Sequence, residues 1–535
     1  MSFLQDMDPP RKKVAVVGGG FSGLFSIVML KEENLEPVCF EKTDRVGGTW
    51  CYREESVIGV PSIMPTTILN HSKEMGAFSN FPPKKEYNTY MKHHEVYEYL
   101  MNYATKNDAL KHVCFNSEVT DVRRSLDYEE TGRWSVTVKN TLTGNVVSDI
   151  YDAVLICVGH INRPKWPSYP GLEDFKGEII HTHSLKGVAK FENKNVVVIG
   201  MGCSGLDAAV EISSVAKQVY ISTRSGSHII ARAGPQGYPF DYIVLRRFFT
   251  ILIDTLPINI VSWLIENLII DQKFNHRWQT VMPEWHVLSK DPVINDYIGS
   301  KMLTGAVKQK KDITKFTENG VIFANEDEVT EADVVIIATG YTWSFPFLEK
   351  DIIANEEGRI DLYKCMWPPH LKHPTLAVIG FILPFGPGFP LGEMQTRWAA
   401  HIFSGKGTLP TRNKMMRDIK AKHNLNLSRY APSHKQTIRV DYVQYLEDIA
   451  AKLGVKPNLL KLLFFDPPLF LKLAFGPHLS YQYRLEGPHS WKGARQTIMT
   501  CEERMHYPVK RYLTKRLEHP FIVLIKKILQ IFPFI

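Results

Sequence analysis

Apolar residues in this chain gather in short continuous runs separated by helix-length stretches, the pattern of parallel strands buried on both faces. Val14 to Val17 is the first run. Gly18, Gly20 and Gly23 follow it at G-x-G-x-x-G spacing, and Leu24 to Lys31 reads as a helix. A second strand, Pro37 to Phe40, ends at Glu41, eighteen residues past Gly23. Asp152 to Gly159 and Asp333 to Gly340 are near-duplicate apolar strands, each closing on glycine. Between them the opening pattern returns: a strand from Asn195, then Gly200, Gly202 and Gly205, a helix from Leu206 to Val215, and a strand Gln218 to Ile221.

Other stretches fill out the picture. Glu95 to Tyr103 reads as an amphipathic helix, and Trp134 to Lys139 with Val146 to Tyr151 as a hairpin around Thr143-Gly-Asn145. Leu376 to Gly380 is another buried strand, followed by a proline- and glycine-rich loop to Gly392 and a helix from about Glu393 to Phe403. Phe240 to Ile270 is unusually apolar, which fits helical core packing first and a surface-seeking or access role second. The apolar run Leu459 to Phe475 is interrupted by Asp466-Pro-Pro. These elements predict an α/β fold with two Rossmann-like dinucleotide-binding domains, one inserted in the other, and a mainly helical C-terminal region with an apolar tail. The boundaries fall at 1–165 with 332–445 for the first domain, 166–331 for the inserted one, and 446–535 for the helical region. Pro164, Pro167 and Pro170 mark the first crossing as a turn-rich linker.

The glycine patterns carry specific chemistry. In the first, Gly18 permits the tight turn, Gly20 lets the backbone approach a pyrophosphate, and Gly23 lets helix and strand pack closely. The helix start at Phe21 and Ser22 directs free N–H groups at that pyrophosphate, with Gly19 in the same turn. Glu41 stands where an acid accepts the hydroxyls of an adenosine ribose. Behind it, Gly48, Thr49 and Trp50 form a turn available to the same cofactor. In the second pattern, Gly200, Gly202, Ser204, Gly205, Leu206 and Asp207 occupy the equivalent turn and helix, but Arg224 replaces the acid. A carboxylate there would repel a ribose 2′-phosphate, whereas a guanidinium binds it bidentately. One site choosing a plain ribose and one choosing a 2′-phosphate describe an FAD enzyme reduced by NADPH.

Composition narrows this further. The chain has 535 residues, 44% hydrophobic and 22% charged, enough for two or three globular domains. Its net charge of +8 suits an anionic cofactor or membrane surface, but no basic cluster with interleaved aromatics points to nucleic acid. Seven scattered cysteines include no C-x-x-C pair, so neither a zinc site nor a redox dithiol is indicated, and a reducing compartment is expected. The N-terminus lacks the apolar core of a signal peptide. Residues 521–535 are apolar with two lysines, short of the roughly 20 residues that span a bilayer and better suited to lying in the interface.

Phe175-Lys-Gly177-Glu-Ile-Ile-His181-Thr-His-Ser-Leu-Lys186 resembles the F-x-G-x-x-x-H-x-x-x-[Y/F] fingerprint of the flavin-containing monooxygenases. Asn70-His-Ser-Lys-Glu-Met, Ala338-Thr-Gly-Tyr341, Phe475-Gly-Pro477 and Tyr483-Arg-Leu-Glu-Gly-Pro488 extend the likeness over nearly the whole chain, nearest to the microsomal dimethylaniline-oxidising group. Leu185 departs from it, standing where members carry an aromatic residue. The resemblance implies that NADPH reduces FAD, that O2 then gives a C4a-hydroperoxyflavin, and that soft nitrogen or sulfur nucleophiles are oxygenated. Ketone oxidation to esters, or largely uncoupled H2O2 production, are the alternatives. It further implies Asn70 as the active-site asparagine, Leu69, His71, Gly340 and Gln395 near the cofactors, and His181 as a hinge between domains. By the same resemblance the partners are small amines, sulfides or ketones and O2, with a homo-oligomer allowed. The expected location is the endoplasmic reticulum membrane, catalytic domains facing the cytosol.

Overall fold

The computed structural model describes residues 11–353 and 359–509, so the apolar tail at 520–535 lies outside the described residues. Ten strands make two parallel sheets: β1 (Lys13–Val17), β2 (Glu36–Phe40), β3 (Val113–Cys114), β4 (Ala153–Ile156), β5 (Glu178–His181), β6 (Asn195–Ile199), β7 (Gln218–Ser222), β8 (Val307–Lys310), β9 (Val334–Ile337) and β10 (Leu376–Val378). The first sheet has the order β10-β4-β1-β2-β3 and the second β8-β7-β6-β9-β5. Central strands β1, β4, β6 and β9 are buried almost end to end. This is the burial expected of apolar runs covered on both faces.

The two glycine patterns sit at equivalent places, each on the first strand–helix turn of its sheet: β1 into α1 (Phe21–Glu32), and β6 into α2 (Cys203–Ile212). The third glycine of each explains the tight junction. A Cβ on Gly23 would lie 2.0 Å from Gly18 O, and one on Gly205 would lie 2.0 Å from Gly200 O. No side chain larger than hydrogen fits there.

Two sequence expectations change. The return to the first domain, placed at 332, falls before β9, yet β9 pairs with β6 and β5 in the second sheet. A uniformly apolar strand fits the middle of either sheet, so its composition could not show which one it joins. The chain therefore returns only after Ile337, where the two crossing segments run side by side: Lys165 N–H donates to Gly340 O, and Thr342 N–H to Arg163 O, both at 2.9 Å. The second change concerns the glycine-rich loop before Glu393, which is helical from Gly388 (Gly388–Phe403). Pro390 falls in its first turn, where an N–H has no intrahelical acceptor to lose.

The apolar stretch after Phe240 forms short helices, among them α3 (Arg247–Thr255) and α4 (Ile258–Ile265). Further on come α5 (Gly388–Phe403), α6 (Arg412–Arg429), α7 (Leu459–Phe465) and α8 (Pro467–Phe475). Asp466 separates the last two, its carboxylate accepting from Leu469 N–H at 3.3 Å as the N-cap of α8. α5 lies against α1 through Phe389, whose ring is 4.9 Å from that of Phe21.

Candidate functional site

A cleft of about 310 Å³ opens along the C-terminal ends of the first sheet, and Gly18, Gly20, Phe21, Ser22, Glu41, Gly48 and Thr49 line it. The N-terminus of α1 has no side-chain cap and no acid in its first turn, so its N–H groups are left for an anion. Glu41 is held rather than loose: Oε2 accepts from Gly19 N–H at 2.8 Å, and Oε1 from Thr43 N–H and Oγ1 at 2.9 and 2.8 Å. Each carboxylate oxygen accepts more than one hydrogen bond, so lone pairs remain for ribose hydroxyls. An uncapped helix end, a fixed acid and a long cleft fit an adenine dinucleotide. Lys42, Arg45, Arg53, His160 and Arg163 also line the cleft, and sequence spacing had not flagged them.

Trp50 is half-buried with its ring 6.2 Å from Phe389, and Leu69 is buried with its N–H donating to Met91 O. His71 packs its ring 5.6 Å from Phe389. Burial pushes the His71 imidazole down to about 4, so it is neutral at physiological pH. Gln395 stands one layer behind the cleft: its Oε1 accepts from the N–H of cleft residue Gly380 at 2.8 Å.

At the second turn, α2 is likewise uncapped, and nothing lies within 4 Å of a Cβ built on Gly202, the space a pyrophosphate needs. Ser204 and Gly205 open the helix, while Leu206 is fully buried in the core beneath it. Asp207 accepts from Asn295 Nδ2 at 2.9 Å, and burial raises its carboxyl to about 6. Arg224 follows β7, exposed and without an ion-pair partner among the described residues.

Asn70 lies against the second turn. Its Nδ2 donates to Cys203 Sγ at 3.6 Å, at the start of α2, and its Oδ1 accepts from Arg232 Nη2 at 3.0 Å. The neighbouring His71 leans on Phe389, which leans on Phe21 of the cleft. Arg232 was not singled out from sequence. The available signal was a single arginine closing the apolar run Ile229-Ile-Ala. It is buried, pairs with Asp296 at 2.7 Å, and donates weakly to the Leu69 carbonyl at 3.4 Å.

His181 is pinned at both ring nitrogens. Nδ1 accepts from His183 N–H at 3.1 Å, and Nε2 donates to Gly340 O at 3.2 Å. Burial pushes its pKa down to about 4. A neutral ring with both nitrogens engaged ties β5 to the crossing segment and has no proton to deliver. Leu185, the departure from the fingerprint, is 1% exposed and packs into the core under the second sheet.

Comparison with known proteins agrees with this geometry. Residues 11–535 match the family model described as flavin-binding monooxygenase-like. The chain is 40% identical over 518 residues to Dimethylaniline monooxygenase (N-oxide-forming) 2 of Rattus norvegicus, covering 96% of each chain. It is 41% identical over 501 residues to Flavin-containing monooxygenase 2 of Homo sapiens, covering 93% of each. In fold it is similar to the S-allyl-L-cysteine S-oxygenase of Allium sativum, with TM-score 0.65, 22% identity, and coverage of 94% of this chain and 100% of that one. It is also similar to a cyclohexanone monooxygenase from Rhodococcus sp. Phi1 bound to NADP+, with TM-score 0.57, 16% identity, and coverage of 84% and 98%. Two equivalent glycine turns, each opening an uncapped helix, thus belong to a chain of the flavin-binding monooxygenase-like family, an FAD- and NADPH-dependent monooxygenase.

Proposed function

We propose that this enzyme oxygenates soft nucleophilic nitrogen and sulfur atoms of small molecules, with NADPH as reductant and O2 as oxidant. Bound in the cleft, FAD would supply the two-electron chemistry that links NADPH to O2. The chain's own residues do the rest. The N-terminus of α1 and Glu41 hold the pyrophosphate and ribose of FAD. The N-terminus of α2 and Arg224 hold NADPH and select its 2′-phosphate.

The observation that carries the reading is Asn70, a neutral amide held at the start of α2 beside His71, whose ring reaches the first turn through Phe389. An amide both donates and accepts, so it can hold an oxygen and the nicotinamide carboxamide together without acting as a base. Arg232 and Cys203 fix its orientation, and the half-buried His71 beside it is held neutral by desolvation. A tertiary amine or thioether has its own lone pair, so no base is needed to activate it. The test is NADPH consumption with a panel of amines, sulfides and ketones, identifying products. N-oxides and S-oxides formed in proportion to NADPH support the reading. Esters from ketones alone, or H2O2 alone with every compound, would overturn it.

The reading also includes association with the endoplasmic reticulum membrane, catalytic units on the cytosolic side. Among the described residues no helix is long and apolar enough to cross a membrane. An apolar face supports surface association instead: Phe248 and Ile251 of α3, Ile260 and Trp263 of α4, Phe464 and Phe465 of α7, and Leu471 of α8 are all exposed. The rings of Phe248 and Phe475, 6.2 Å apart, join α3 to α8. Exposed apolar side chains gathered on adjoining helices mark an interaction surface, and a lipid interface accepts such a face without spanning.

A further inference from the structure

Lys422, on α6, brings Nζ to 2.8 Å from Cys365 Sγ while also donating to Thr437 O at 2.8 Å. Other polar contacts to sulfur among the described residues are longer, such as 3.3 Å for Gln309 to Met201, 3.4 Å for Ser26 to Cys157, and 3.6 Å for Asn70 to Cys203. The loop presenting the thiol is held from several sides. Lys364 Nζ bridges Asp418 and Asp448 at 2.7 and 3.0 Å, and the Lys364 carbonyl accepts from Tyr445 OH at 2.5 Å. Lys364 and Cys365 both have positive φ, +53° and +56°. Non-glycine residues stay in that region only where their surroundings enforce it.

The place matters as much as the spacing. Tyr445 OH accepts from Gln395 Nε2 at 2.8 Å, and Gln395 accepts from Gly380, which lines the flavin cleft. The thiol therefore lies next to a residue three hydrogen bonds behind Gly380 of the cleft. It is 2% exposed, which excludes bulky thiols and protein partners and leaves oxidants the size of water.

We propose that Cys365 and Lys422 form a peroxide-driven sulfur–nitrogen cross-link. Hydrogen peroxide, the product of O2 reduction that does not reach a substrate, is the oxidant. The sulfur attacks one peroxide oxygen, the O–O bond breaks, and water leaves with the thiol proton to give a sulfenic acid. Lys422 then releases one proton to water, its amine attacks sulfur, the S–O bond breaks, and the hydroxyl leaves with an amine proton as a second water. One thiol, one ammonium and one H2O2 become one S–N bond, two waters and one released proton; sulfur loses two electrons and peroxide gains two. The fixed spacing favours this intramolecular capture over further oxidation of sulfur. In the digested chain, where the bond is exposed, a thiol attacks it and restores both side chains.

The test is peptide mass spectrometry of the FAD-loaded enzyme after added H2O2 and alkylation of the remaining thiols. Adding peroxide directly keeps its outcome separate from that of the proposed oxygenation. The expected product joins the peptides carrying Cys365 and Lys422, lighter by two hydrogens than the sum of the two, and is abolished by dithiothreitol. In Lys422→Arg, with an unchanged melting curve, Cys365 should pass on to sulfinic acid instead. Three results would overturn the proposal: Cys365 still free when exposed Cys114 is oxidised, sulfinic acid at Cys365 in the unmodified chain, or a joined pair heavier by an oxygen.

Discussion

Arg232 Nη2 donates to Asn70 Oδ1 at 3.0 Å, while its Nη1 holds Asp296 at 2.7 Å. The Asn70 amide is thus positioned by a half-buried ion pair from the inserted unit, not by its own loop. Asn70→Ala should lower oxygenated product per NADPH about a hundredfold, the scale set by loss of one preorganised donor, with NADPH oxidation continuing as H2O2 release. Arg232→Met should also lower coupling, and in addition destabilise the fold by about 1 kcal/mol, since Asp296 is exposed and water takes over from its lost partner. Product assays beside denaturant melts separate the two effects. Coupling unchanged in both variants would remove Asn70 from the chemistry.

Glu41 accepts Gly19 N–H at 2.8 Å and so fixes the turn it serves. Glu41→Ala removes that bond and the ribose acceptor together. FAD should dissociate at least about tenfold more readily, the equivalent of one or two hydrogen bonds to a charged group. Flavin fluorescence released on dilution measures it.

Arg224 is exposed with no ion-pair partner among the described residues, so its removal costs the fold little. Arg224→Ala should raise the KM for NADPH about ten- to a hundredfold, the worth of a charge-assisted pair, and leave the KM for NADH nearly unchanged. Equal effects on both would place the 2′-phosphate elsewhere.

Acid should weaken the fold in a definite window. Burial holds His71, His160 and His181 near 4, whereas an unfolded histidine titrates near 6.5. Between these values the unfolded chain binds more protons, so their contribution to stability is present above about 6.5 and is lost as pH falls toward 4. Asp207 and Asp241, raised by burial to about 6, act with the opposite sign and lose stability as pH rises from about 4 to 6. The histidines outnumber these two acids, so the melting temperature should drop on acidification. His160, whose Nδ1 has no partner, is the place to check it. His160→Gln should flatten the pH profile without abolishing it.

Phe464 and Phe465 are 72% and 82% exposed, so charging them disturbs no core. In a chain ending at His519, Phe464→Glu with Phe465→Glu should reduce co-sedimentation with phospholipid vesicles at least about tenfold, since burying one such ring is worth about 2 kcal/mol, at unchanged melting temperature. Full binding retained by the double variant would rule out this face.

The placement of the two glycine turns was legible in the chain itself. Strand, glycine spacing and the residue ending the next strand form one short segment, and the contrast of Glu41 with Arg224 needs no tertiary contact to be read. Buried parallel strands announce themselves because both faces demand apolar side chains. The same uniformity hid the partner of Val334–Ile337, which only hydrogen-bond register assigns to the second sheet. Nor could sequence separation show that Asn70 meets Arg232, 162 positions away, or that Cys365 meets Lys422. Those contacts depend on how two sheets and a set of helices pack. Burial then decides the rest, keeping His71 and His181 neutral and turning a fingerprint histidine into a fixed pin.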